Sequence, residues 1–276
     1  MSLKQVARDT LAICDAGSYV GPSGERIELG PQIEAAIRGT RLYEPKELDD
    51  LLALPGGEGE APRVEVSDET TQLGAQRLVK EGETEVALLN FASARNPGGG
   101  FINGAKAQEE DVTRCSALHP CLTSPAVEEY YRVNRAMDSM LYTDHLIYSP
   151  RVPFFRSRST DLLDEPFLAS VITAPAPNAG EALKRDPDCS DEIEETLRRR
   201  AAKVLMVAAA QQHRVLVLGA WGCGVFRNRP DQVADAFGKH LSSPRFRGCF
   251  DRVLFAVLDR SPDRQTLSAF ERRFGR

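Results

Sequence analysis

Between Leu88 and Asp111 the chain reads LLNFASARNPGGGFINGAKAQEED. Leu88 to Phe91 is the apolar end of a strand. It runs into a loop carrying Asn96, Pro97 and the triplet Gly98, Gly99, Gly100. Gln108, Glu109, Glu110 and Asp111 then open a helix that continues through DVTRCSALH and stops near Pro120. A strand that feeds a Gly-rich loop and then a helix brings backbone N–H groups up to a phosphate. Three successive glycines remove every Cβ from one wall, so a bulky ligand can lie against bare backbone. The acidic run places carboxylates beside that ligand. Each part alone has a plainer use, because Gly-rich loops close tight turns and first-turn acids complement the helix dipole.

The rest of the chain sets this stretch in an alternating pattern. RVEVS reads as a strand, followed by a helix over DETTQLGAQRLVK with Ser67 or Asp68 as its cap. EVALLNFA, HLIYSP, LASVITAPAP, RVLVLG and RVLFAVLD read as further strands. Helices are expected over AVEEYYRVNRAM, from Asp191 to about Gln211, from Pro230 to Leu241 and from Pro262 to Phe274. Strands that are continuously apolar need cover on both faces. The expected fold is therefore a three-layer α/β/α sandwich with a mixed sheet. Residues 1–60 read as a mainly helical N-terminal extension packed on a main domain of residues 61–276. Leu3, Val6, Ala7, Leu11 and Cys14 mark its first helix, and Pro31 to Arg38 fits a short helix or strand. The Gly, Glu and Pro segment from Pro55 to Pro62 is the expected linker.

A second Gly-rich loop, Gly219 to Phe226, follows the strand Val215 to Leu218. It lacks the Lys-Ser/Thr ending of a nucleoside-triphosphate loop and the spacing of a dinucleotide fingerprint. Both loops leave strands at their carboxyl ends, where ligands bind in such sheets. Trp221 reads as a packing anchor for the second loop. Asn96 is either a turn residue ahead of Pro97 or a side-chain amide facing a ribose hydroxyl. Asn178 reads as a turn residue.

The net charge of −5 speaks against a nucleic-acid partner, which needs a basic face. No apolar run approaches a membrane span and no secretory signal is read, so a cytoplasmic monomer is expected. The six cysteines show no CxxC spacing and the four histidines no ligand spacing, so no metal and no cofactor are expected. Cys223 reads as structural.

NPGGG, a seven-residue spacer and QEE together resemble the signature loop of the poly(ADP-ribose) glycohydrolases of bacterial type. The resemblance implies the macrodomain-like fold and hydrolysis of ribose–ribose O-glycosidic bonds in poly(ADP-ribose), mainly from chain ends, on ADP-ribosylated proteins. It implies that Glu110 is the proton donor and that Glu109 orients a ribose hydroxyl. Gln108 would support the loop. Asn96, Gly98, Gly99 and Gly100 would meet the ligand, Gly222, Cys223, Gly224 and Val225 would hold its diphosphate, and Phe226 would pack against its distal ribose or its adenosine side. The alternatives are an ADP-ribose-binding module without turnover, which has no need of paired carboxylates, and a hydrolase of a mono-ADP-ribosyl linkage.

Overall fold

The computed structural model describes residues 1–275. Its nine strands are β1 (Ser18–Val20), β2 (Arg26–Glu28), β3 (Arg41–Tyr43), β4 (Arg63–Ser67), β5 (Val86–Phe91), β6 (Leu146–Arg158), β7 (Asp161–Ala174), β8 (Val215–Leu218) and β9 (Arg252–Ala256). The helices before the first Gly-rich loop are α1 (Leu3–Ala16), α2 (Gly30–Gly39), α3 (Pro45–Ala53) and α4 (Thr71–Lys80). Those after it are α5 (Gln108–Cys115), α6 (Leu118–Leu122), α7 (Glu128–Ala136), α8 (Ala179–Arg185), α9 (Ser190–Ala210), α10 (Pro230–Leu241) and α11 (Gln265–Phe274). Among the described residues no helix is long and apolar enough to cross a membrane.

Seven strands form one mixed sheet in the order β3-β6-β7-β5-β8-β9-β4. From β7 to β4 neighbours run parallel, while β3, β6 and β7 are antiparallel. Side-chain alternation divides the strands between two cores. In β8, Val215 and Val217 enter one and Leu216 and Leu218 the other. The core that takes Leu216 and Leu218 joins α9, α10 and α11, and the core that takes Val215 and Val217 joins α2, α4, α5 and α6, which makes the three layers.

Three details differ from the sequence expectation. HLIYSP and LASVITAPAP are parts of a long hairpin, β6–β7, whose register slips between Ser149 and Val152 and again near Arg156. Bulges and prolines hide its period from the sequence. Neither Ser67 nor Asp68 caps α4: the helix starts after Thr70, and Asp68 accepts instead from Asp259 N and Arg264. The segment before residue 60 also supplies a strand of the main sheet, because β3 pairs with β6. The Pro55–Pro62 stretch has no regular structure, yet Pro55 O accepts from Arg245 and Glu60 O from Gly248 N.

At its start, α1 is capped by the Ser2 side chain, and Gly17 ends it in the left-handed conformation at φ 64°. It packs beside the first Gly-rich loop, with Thr10 Oγ1 donating to Arg114 O at 2.8 Å.

Candidate active site

Because β5 and β8 are parallel neighbours, the loops leaving their carboxyl ends emerge side by side. The first begins as a tight turn in which Gly99 N donates to Asn96 O at 2.9 Å. Pro97 occupies its second position and Gly98 its third, at φ 69°, the positive value a type II turn demands. Asn96 is thus a turn residue through its carbonyl. Its exposed side chain faces the cleft described below.

The glycine triplet has a cause that the sequence did not show. A Cβ on Gly99 would stand 2.5 Å from Glu110 Oε1 and 2.9 Å from Glu109 Oε2, and its φ is 61°. A Cβ on Gly100 would meet Ala105 at 2.7 Å, and one on Gly98 would crowd Thr113 at 3.3 Å. The Cβ positions therefore point into protein, and the loop's closeness to its own carboxylates demands glycine. The two carboxylates converge on one point from different sides. That places these oxygens nearer each other than the roughly 6.5–9.5 Å that inverting glycosidases leave between carboxyl groups for a water.

The first turn of α5 holds both glutamates rigidly. Glu110 Oε1 accepts from Gly100 N at 2.8 Å and Oε2 from Ala107 N at 3.1 Å, the second bond being half of a capping box. Glu109 is 3% exposed; Oε2 accepts from Ser93 N at 2.7 Å and Oε1 from Asn90 Nδ2 at 3.3 Å. Burial pushes its pKa up to about 8, against the opposing pull of the Ser93 and Asn90 donors. Neither glutamate pairs with a cation among the described residues. Gln108 spends its amide on the scaffold. Its Oε1 accepts from Phe91 N at 2.8 Å, and its Nε2 donates to Leu89 O at 2.8 Å and Thr71 Oγ1 at 3.0 Å. It therefore splices α5 onto the end of β5.

In the second loop Trp221 is fully buried and donates from Nε1 to Ala174 O at 3.0 Å, which makes it the loop's anchor. Gly222 sits at φ 72°, and a Cβ there would collide with Asn228 and Ala176. Gly224 has nothing within 4 Å of its Cβ position, and Val225 is 80% exposed. Burial raises the Cys223 thiol to about 12, so it is no nucleophile at neutral pH. Phe226 lies 6.1 Å from the Tyr142 ring. Asn178 caps α8 by accepting from Glu181 N.

These pieces line one cleft of ≈ 1400 Å³. It brings together Asn96, Gly99, Gly100, Gln108, Glu109, Glu110, Gly222, Cys223, Gly224, Val225 and Phe226. Gly98 lies behind the loop, buried. The cleft also takes in groups that the motif reading passed over: Ser93, Thr71 at the start of α4, and Leu258 and Arg260 after β9. Beneath the cleft, Asn90 is fully buried and holds Glu109 from the strand. Its signal in the sequence was a lone polar residue inside the apolar run VALLNF. Among the described residues no group of three or more His, Cys, Asp or Glu could hold a metal ion.

A family model, the catalytic domain of microbial-type PARG, matches residues 7–157. Among solved structures, a poly(ADP-ribose) glycohydrolase from Thermomonospora curvata is 45% identical over 99% of both chains, with a TM-score of 0.93. The same enzyme bound to the inhibitor ADP-HPD superposes at 0.91. The poly(ADP-ribose) glycohydrolase of Deinococcus radiodurans in complex with ADP-ribose is 50% identical over 89% of this chain and 98% of its own, at 0.84. No curated protein matches. With more than half its length under the family model and this likeness along nearly all of it, the chain belongs to the microbial-type PARG catalytic-domain family.

Proposed function

We propose that this chain hydrolyses the ribose–ribose O-glycosidic bond of poly(ADP-ribose) and releases ADP-ribose, mainly from chain ends, on ADP-ribosylated proteins. One observation carries the reading: two buried carboxylates, without a counter-cation among the described residues, converge at Gly99, beside a second Gly-rich loop on the neighbouring strand. In the proposed reaction the terminal ADP-ribose lies across both loops, with its diphosphate on the backbone of Gly222 to Val225. Glu110 delivers a proton to the leaving 2′-oxygen as the C1″–O bond breaks. The bound diphosphate opposes the positive charge that develops on the ribose. Glu110, now ionised, takes a proton from a water, which adds to C1″ and restores the acid. Glu109, largely protonated at neutral pH and fixed by Ser93 and Asn90, orients a ribose hydroxyl.

Incubation with labelled polymer and chromatography of the products tests the reading. Free ADP-ribose as the product is the expected result. A protein that binds ADP-ribose and leaves the polymer whole would be a binding module instead.

A further inference from the structure

Three consecutive acids, Glu109, Glu110 and Asp111, open α5, yet the proposed substrate is a polyanion. The phosphates of such a substrate call for cations in the cleft. Resting on the function proposed above, we infer that Lys106 and Arg114 form a subsite for the diphosphate of the ADP-ribose unit on the leaving side of the scissile bond.

Arg114 is 2% exposed and still lines the cleft. Its Nε donates to Ser159 Oγ at 3.1 Å and its Nη1 to Ala105 O at 2.8 Å, both neutral acceptors. Among the described residues its Nη2 has no hydrogen-bond partner, and no carboxylate pairs with it. The nearest acid on its helix, Asp111, is engaged by Gln72 Nε2 and Ser159 Oγ, each at 2.6 Å. A buried guanidinium held only by neutral acceptors is costly, and its planar fork matches phosphate. Lys106 is exposed on the same wall and makes no side-chain hydrogen bond among the described residues.

The position follows from the helix and from the polymer. Arg114 stands four residues after Glu110, so the two share a face of α5. The oxygen that Glu110 protonates belongs to a ribose whose own 5′ carbon carries the preceding diphosphate. That phosphate therefore lies one sugar from Glu110, on the side away from Gly222 to Val225. Small-ligand pockets run to roughly 300–1,000 Å³, and the ≈ 1400 Å³ cleft leaves room for this second unit.

The test measures initial rates against polymer concentration, and ADP-ribose binding by calorimetry, for Arg114→Ala, Arg114→Lys and Lys106→Ala. The expected result is a polymer KM raised at least about tenfold in Arg114→Ala, as loss of a charge-assisted phosphate contact implies. Lys106→Ala and Arg114→Lys should raise it less. ADP-ribose affinity should stay at the wild-type value, and the difference in KM should shrink at high salt. An ADP-ribose affinity that falls in step with the polymer KM would show that these residues merely hold the loop, and would overturn the subsite. A wild-type KM in Lys106→Ala and Arg114→Lys would overturn it too, and these two decide the matter if Arg114→Ala does not fold. Wild-type protein that releases no ADP-ribose would overturn the function and the subsite together. An active wild type with unmoved KM values removes the subsite alone.

Discussion

Two buried clusters of charge in this molecule are built on opposite plans. Beside α9, the carboxylate of Asp144 is surrounded by cations: Arg199 Nε at 2.7 Å, Arg200 Nε at 3.0 Å and Lys203 Nζ at 3.0 Å, the last of which also pairs with the exposed Asp49 at 2.7 Å. Arg200 spends its remaining donors on the carbonyls of Pro175, Leu141 and Tyr142. In the cleft, Glu109 and Glu110 pair with no cation among the described residues, and every carboxylate oxygen accepts from an N–H group. Their effects on ionisation differ accordingly. Burial raises the Asp144 pKa, but the Arg199 hydrogen bond and the Arg200 and Lys203 charges outweigh it and hold the group well below the usual carboxylate range. Glu109, with no cation to outweigh its burial, is pushed up to about 8. A carboxylate locked to cations ties α9 to the loop before β6, and one left without them can hold and release a proton near neutrality.

The largest expected effect tests the reactive cluster. Glu110→Gln should keep ADP-ribose affinity within a few-fold and lose turnover by the ~10²–10⁴ that general acid–base catalysis supplies. Near-normal polymer turnover in this variant would place the proton donor elsewhere and dissolve the contrast between the clusters.

Asp144→Asn should do the reverse. It leaves Arg200, whose side chain is 0% exposed, with no carboxylate among the described residues, while Lys203, 2% exposed, keeps only the exposed Asp49 at 2.7 Å. Removing one partner of a buried ion pair costs about 3–5 kcal/mol. Denaturant unfolding should show a loss of that order, while ADP-ribose affinity of the folded protein stays unchanged. A stability within 1 kcal/mol (roughly) of wild type would mean that the cluster contributes little net energy, as some buried ion pairs do.

The pH dependence of stability separates the clusters by sign. The folded Glu109 pKa of about 8 lies above its ordinary 4.5, so the folded protein binds the extra proton. The associated stability is present below about 4.5 and is lost as pH rises toward 8. At about 1.4 kcal/mol per unit this amounts to a few kcal/mol. The depressed Asp144 works the other way: its stability is present above 3.8 and is lost as pH falls below that. Glu109→Gln should therefore flatten the stability profile between pH 4.5 and 8. An unchanged slope there would show that Glu109 is not the buried proton carrier.

The two clusters were unequally legible in the sequence. The cluster in the cleft is legible because its parts are local: the triplet, the spacer and Gln108 to Glu110 fall within one strand–loop–helix unit. Even so, the reason for Gly99 was hidden, since only the folded loop shows the carboxylates against it. Asn90 passed as one more residue of a buried strand. The structural cluster could not be read at all, because Arg199, Arg200 and Lys203 reach back more than fifty residues to Asp144. The fold class followed from apolar strands alternating with helices. Two features escaped it: β3 has only three residues, and the β6–β7 hairpin has a broken period.

The smallest expected effect sharpens the plan of the Asp144 cluster itself. Its three cations are not equivalent. The Arg199 side chain is 41% exposed, whereas those of Arg200 and Lys203 are almost wholly buried. An exposed guanidinium gains little from a carboxylate, because water and salt screen the pair and ordering a long side chain costs entropy. With Arg199 removed, Asp144 keeps Arg200 and Lys203, so no buried charge is left alone. Arg199→Gln should therefore cost only ~0.2–1 kcal/mol, and this small loss should shrink further in high salt. A cost approaching that of Asp144→Asn would mean that the exposed arginine carries the cluster. The division between buried, mutually compensated charges and a screened outer one would then be wrong.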